Sequence, residues 1–210
     1  IALLNSLGVR LILVHGARPQ IDQRLKLRHK KSKFKNRIRI TDKESLECVK
    51  DAAGSLRSQI EALLTMGLPN SPMHGSQIRV CSGNLVVARP LGIKEGVDYE
   101  NTGLVRRIDV QGINDHLSDG SIVLLSPMGY SPTGEIFNLS HEDVATQAAI
   151  AMKADKIITL SERDGIFDKS GKLLRTTELN LLKKELAADN IDAEKTCLTA
   201  MISSVEAGVT

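Results

Sequence analysis

The sequence predicts an α/β fold, a sandwich of helices around a mostly parallel central sheet with a hairpin inserted midway. Three observations carry that expectation. Two largely apolar runs rich in β-branched residues, VRLILVHG (Val9–Gly16) and SIVLLSP (Ser121–Pro127), read as strands buried on both faces. Helical patterns, ARPQIDQRL and HEDVATQAAIAMKA, follow each of them. Between the two, from Gln77 onward, the period shortens to that of strands.

In chain order, IALLNSLG reads as the last turns of a helix stopped by Gly8. Helix, buried strand, turn and helix then make one unit of a doubly wound sheet. DKESLECVKDAAGSLRSQIEALLTM is the long helix, with Thr41 or Asp42 as its N-cap and Leu46, Val49, Ala53, Leu56, Ile60, Leu63 and Leu64 as its buried stripe. GLPNSP breaks it. QIRVCSG and NLVVARP flank Gly83-Asn84, a hairpin turn signal. VRRIDV is a further strand and INDHLSDG a short helix; MGYSPTGEIFN is a loop punctuated by Gly and Pro. DKIITLS reads as a third buried strand, RDGIFDKSGKLLR as a strand-turn-strand excursion, and Lys195–Ala207 as a last helix stopped at Gly208.

A chain of 210 residues suits one α/β domain or two small lobes. It is 41% hydrophobic and 25% charged, which sets it apart from disordered chains. Aromatics are only 2%, so the core rests on Leu, Ile, Val and Ala, and few rings remain to stack on bases. A net charge of +3 is too small to imply nucleic acid or a membrane surface as partner. The basic cluster KLRHKKSKFKNR (Lys26–Arg37) reads as a solvated loop or helix end, or as an anion contact. Cys48, Cys81 and Cys197 offer neither a disulfide framework nor a CxxC metal pair, which fits a reducing, cytoplasmic setting. No apolar run approaches the roughly 20 residues of a membrane span.

In open α/β sheets ligands bind beyond the carboxyl ends of the strands, which directs attention to VHGARPQ, SPMGYSPTG and LSERDG. VHGARPQID joins a strand end to a helix start, where free N–H groups can receive an anion; a structural tight turn explains the same residues. His15 reads as a hydrogen-bonded histidine or a functional one. Asn138, Ser140, His141, Glu142 and Asp143 gather at the start of the next helix. Capping by Ser140 and first-turn acids account for part of that group, and Asn138 stands outside it as the better ligand candidate. No HExxH pair, Cys–His grouping or GxSxG elbow is present, so neither a metal site nor a hydrolase elbow is expected.

Taken together, LGVRLILVHGARPQID, RIRITDKESLE, SGNLVVARPLGIKEGVDYENTGLVRRIDV, GSIVLLSPMGYSPTGEIFNLSHEDVATQAAIAMKADKI and the GIFDKSGKL turn resemble the amino-acid kinases of the acetylglutamate kinase type. They are most similar to the kinase-like domain of the bacterial N-acetylglutamate synthase family, over nearly the whole chain. The resemblance implies the three-layer amino-acid-kinase sandwich, with residues 1–155 as a substrate-type lobe and 156–210 as the start of a nucleotide-type lobe. It also implies a parent acyltransferase that uses acetyl-CoA and L-glutamate, with L-arginine as inhibitor, homo-oligomeric assembly, and no cofactor in this stretch.

Three departures from the kinase pattern separate the chain from active kinases. Ala17 and Arg18 stand in the turn where the kinases have a glycine-rich HGGGP. Glu142 aligns with the kinases' catalytic Asp, and DAEKTC (Asp192–Cys197) with their GGMxPK segment. Phosphoryl transfer is mainly positioning and charge stabilisation, so these changes point away from kinase activity and no catalytic residue is expected here. Ligand-type positions that the resemblance carries over are Arg39, which matches a carboxylate-gripping arginine, Asn138, and the turn residues Gly16 and Ala17. The family's first strand is expected before Ile1, and its arginine segment and acetyltransferase domain after Thr210. Two other readings fit the same order of blocks, an active acetylglutamate kinase and a non-catalytic amino-acid sensor.

Overall fold

The computed structural model describes residues 1–66, 78–160, 165–168, 170, 172–174, 177–187, 191–192 and 195–209. It divides into two compact units, Ile1–Val144 and Ala145–Thr210. GLPNSP, most of LSERDG and part of DAEKTC lie outside the described residues.

In the first unit, α1 (Ala2–Ser6) ends at Gly8, whose φ of 80° places it in the left-handed region a non-glycine residue avoids. The apolar run behind it becomes β1 (Ile12–Val14), and α2 (Arg18–Leu27) starts at once, with a proline in its first turn where a missing N–H costs little. A tight hairpin follows, β2 (Lys33–Lys35) and β3 (Ile38–Ile40). Its two turn residues, Asn36 and Arg37, have φ of 50° and 64°, the pair of positive values a type I′ turn demands.

The long helix is α3 (Lys43–Thr65). Asp42 caps it by accepting a 2.7 Å bond from the Ser45 N–H, and those bonds hold the Asp42 carboxyl below its ordinary pKa. Val49 and Ala53 of the expected stripe are buried, but the enclosed face also takes in Ser45, Cys48 and Ala52, whereas Leu63 is 63% exposed. Small residues decide this. Ala52 and Cys48 let α3 approach α2, where Ala17, Ile21, Leu25, Cys48, Val49 and Ala52 form one core cluster with Leu56 and Met128 against it.

The strands β4 (Val80–Cys81), β5 (Val86–Pro90), β6 (Ile93–Lys94), β7 (Val97–Asp98) and β8 (Gly103–Ile108) come next, then α4 (Val110–Ser118), capped by Asp109. After it come β9 (Ile122–Leu125), β10 (Met128–Tyr130), β11 (Ile136–Asn138) and α5 (His141–Met152). One sheet is fully parallel, in the order β1-β9-β4; a second, mixed sheet runs β11-β10-β5-β8.

Gly83-Asn84 therefore does not make the expected hairpin. Neither residue has a positive φ, so the chain cannot reverse there as a type I′ turn would. Instead β4 leads forward into β5, and both pair in parallel with a second bent strand: β4 with β9, and β5 with β10. The chain passes from one sheet to the other twice, side by side. The inserted hairpins are β2–β3, β6–β7 and β10–β11, the last of which replaces the loop expected at MGYSPTGEIFN.

In the second unit, β12 (Phe167–Asp168) pairs with β13 (Ile191–Asp192), and α6 (Leu179–Ala187), which the sequence reading did not anticipate, packs on α7 (Lys195–Glu206). Leu182, Leu198 and Ile202 form that core. The strand expected at DKIITLS is absent over 156–160, and Leu160 is 85% exposed. Alternating β-branched residues form a strand only beside a partner, and no described strand pairs with this stretch.

Candidate functional site

Two polar corners in the first unit hold the residues singled out above. The first lies at the carboxyl ends of β1 and β9. The β1 ladder continues one residue past the strand, with the His15 N–H donating to the Leu125 carbonyl. His15 Nδ1 lies 3.1 Å from the Gly16 carbonyl, and Nε2 lies 2.9 Å from Ser126 Oγ. A neutral ring protonated on Nδ1 satisfies both, donating to the carbonyl and accepting the serine proton. Burial lowers the His15 pKa from 6.5; the Gly16 carbonyl opposes that shift, while His141 and Arg57 add to it.

Gly16 allows a close approach. A Cβ added there would stand 3.3 Å from the His141 ring. At the start of α5, Ser140 Oγ accepts a 3.3 Å bond from the Asp143 N–H and gives its own proton to the Glu142 carboxylate. His141 Nδ1 is 3.1 Å from the same carboxylate oxygen. Asp143 reaches across to accept from the Val105 N–H at 3.1 Å. Ala17 is 3% exposed and belongs to the α2–α3 core, so its methyl group is turned away from the turn and fills the interior. Of the two residues that replace glycines of the kinase turn, Arg18 is the exposed one.

The second corner gathers Arg39 and Asn138, each 7% exposed. Arg39 Nη2 is 2.7 Å from Asp22 Oδ1, Nη1 is 2.5 Å from Ser32 Oγ, and the Phe34 ring covers the guanidinium with 4.7 Å from Cζ to its centroid. Behind it runs a chain of side chains. Asn138 Nδ2 donates to Thr41 Oγ1 at 3.0 Å, Thr41 and Thr102 hydroxyls are 2.8 Å apart, and Thr102 Oγ1 donates to the Arg39 carbonyl at 2.6 Å. A hydroxyl has a single proton, so with Thr102 bonded to that carbonyl, Thr41 supplies the proton between the two threonines. Asn101 closes the corner, its N–H and side-chain amide both on the Thr41 carbonyl at 2.9 and 3.1 Å.

Four residues of the expected site thus fall into two groups, Gly16 with Ala17 and Arg39 with Asn138. Asp22, Ser32, Thr102 and Ser126 complete the corners and were not singled out in the sequence. They lie on other elements, and no local spacing ties Asp22 to Arg39 or Ser126 to His15. The basic cluster divides too: Arg28 pairs with Asp51 and Lys30 with Glu44 on α3. Among the described residues no group of three or more His, Cys, Asp or Glu side chains could hold a metal ion, and no helix is long and apolar enough to cross a membrane.

A parallel α/β sheet with a strand that runs into HGARP and a helix, followed by the block SPTGEIFNLSHEDV leading into α5, defines the class. The chain matches the amino acid kinase family over residues 1–206 and belongs to it. Within that class it is similar to proteins named amino-acid acetyltransferase. That of Ectopseudomonas mendocina (strain ymp) is 52% identical over 209 residues, all of this chain and 48% of the relative. That of Pseudomonas fluorescens (strain Pf0-1) is 59% identical over 175 residues, 83% of this chain and 40% of the relative. The N-acetylglutamate synthase of Neisseria gonorrhoeae, solved with coenzyme A and L-arginine, superposes with a TM-score of 0.91 at 31% identity, over 99% of this chain and 49% of that one. The chain spans about half the length of the curated relatives it matches.

Proposed function

We propose that this chain is the regulatory and assembly domain of an N-acetylglutamate synthase, a cytoplasmic acyltransferase that moves acetyl from acetyl-CoA to L-glutamate at the start of arginine biosynthesis. The observation that carries this reading is the 52% identity to an amino-acid acetyltransferase along the whole chain. The site geometry supports the non-kinase half of it. Glu142 is held by Ser140 and His141, and the turn after β1 presents Arg18 where a glycine cradle would need bare backbone. Residues 1–155 would form the substrate-type lobe and 156–210 the beginning of a nucleotide-type lobe. Gly16, Ala17, Arg39 and Asn138 would be ligand-contact positions inherited from kinase ancestors. L-Arginine would inhibit through this domain, and the domain would assemble homo-oligomers.

The test uses the full-length protein. It should acetylate L-glutamate with acetyl-CoA, lose rate when L-arginine is added, and form no ADP from ATP and N-acetyl-L-glutamate. ATP-dependent phosphorylation without acetyl transfer would overturn the reading in favour of a kinase. Arginine binding with neither activity would make it a sensor.

A further inference from the structure

The charge of the chain is unevenly placed. Lys26–Arg37 holds seven Lys and Arg and no acid, leaving 21 Lys and Arg against 25 Asp and Glu elsewhere, a net −4. Arg28 and Lys30 pair with Asp51 and Glu44. Lys26, Lys31, Lys33, Lys35 and Arg37 are exposed and form no ion pair among the described residues. Leu27 and Phe34 stand exposed between them, at 75% and 45%.

The same stretch contains an open strand edge. Among the described residues β2 pairs with β3 alone. In a hairpin with a two-residue turn the flanking pair, here Lys35 and Ile38, exchanges backbone bonds, and bonded pairs alternate with unbonded ones. The Phe34 N–H and carbonyl therefore point to the open side. Lys33 and Lys35 stand on one face, about 7 Å apart, and Phe34 covers Arg39 on the other. Tyr99 donates to the Lys35 carbonyl at 3.4 Å and Asn36 to Glu95 at 2.8 Å, so the hairpin is fastened and its edge is held ready.

We propose that the open edge of β2 docks an extended acidic segment of a partner protein, with carboxylates at alternate residues facing Lys33 and Lys35. The inference goes beyond the acetyl-transfer reading and does not depend on it. Strand addition supplies main-chain bonds to Phe34, and the lysines supply selectivity. An extended strand repeats its like-facing side chains at the interval that separates Lys33 from Lys35, so each carboxylate meets one ammonium. A second copy of β2 is refused, because pairing would set lysine against lysine. A long polyanion such as nucleic acid would continue past the cluster along a chain whose remaining charge is negative. A short acidic segment ends where the lysines do.

The test is titration of the full-length protein with a short capped peptide of alternating Glu and Thr, read by calorimetry and backbone amide NMR. The peptide should bind, shift the Phe34 amide and slow its hydrogen exchange. Lys33→Glu with Lys35→Glu should weaken binding at least about tenfold, as two reversed surface pairs acting together. Lys33→Gln with Lys35→Gln should weaken it less, and serves if the reversed variant does not fold. A peptide with Gln for Glu, or one with methylated backbone nitrogens, should not bind. The proposal fails if the native protein does not bind the acidic peptide, or if folded lysine variants bind it equally well. Equal binding of the methylated peptide would overturn strand addition. Tighter binding of single-stranded DNA or anionic phospholipid vesicles through the same lysines would overturn the choice of partner.

Discussion

At the end of β1, His15, His141 and Glu142 answer to neighbours while part of the corner faces solvent; His141 is 43% exposed. Around β3, Arg39 and Asn138 hold comparable groups but are enclosed, and their partners come from α2, β2, Thr102 just before β8, and the Thr41 segment. The difference teaches what enclosure does to a polar side chain. In water a guanidinium or amide loses little by waiting for a ligand. In the interior an unmade bond is costly, so the chain supplies its own partners. Arg39 and Asn138 are anchored by the fold's own groups, whereas the His15 corner keeps groups that solvent conditions can alter.

That contrast can be broken most forcefully at Arg39. Replacing it with Met removes the cation that Asp22 and Ser32 surround, and should lower unfolding free energy by about 2–3 kcal/mol, measured by urea denaturation. The half-exposed Asp22 keeps the loss below that of a fully buried pair. Thr102→Val interrupts the chain between Asn138 and the Arg39 carbonyl and should cost about 1–2 kcal/mol in the same assay. An unchanged midpoint in both variants would mean that the enclosed corner is not structural.

At the other corner the expected effect is on pH dependence. His15 has a folded pKa below 6.5, so as pH falls the unfolded chain takes up the proton first. Stability is therefore lost as pH drops below 6.5, until the folded ring also protonates. His15→Gln should flatten that part of a melting-temperature profile; an identical slope would show that His15 does not titrate this way. Gly16→Ala is the smallest perturbation. Its Cβ would meet the half-exposed His141 ring, which can shift, and the cost should stay under about 1 kcal/mol.

Much of the first unit was legible in the sequence because its signals are local. The apolar runs at β1 and β9 and the Asp42 cap are each written within a few residues. Non-local choices were not. Asn-type turn chemistry pointed to Gly83-Asn84, yet the type I′ turns formed at Asn36-Arg37 and Glu95-Gly96, because strand partners rather than turn propensity chose where the chain reverses. The helical period of α3 finds Val49 and Ala53 but not Cys48 and Ala52, where two helices could come close. Of the site, the positions Gly16, Ala17, Arg39 and Asn138 came from order and resemblance. Asp22 and Thr102 did not, since what makes them matter is a fold that brings α2 to β3 and β8 to β11.

The parallel pairing of β1 with β9 also sets a clock on synthesis. Ile12 meets Val123, and β4 meets the same strand from its other side. At ordinary translation rates the ribosome takes on the order of ten seconds to pass from one to the other. Throughout that interval β1, an apolar segment, lacks the strand it pairs with among the described residues. Newly made chains should therefore depend on chaperones most until β9 emerges, and a pause placed just before Ser121 would lengthen that exposure.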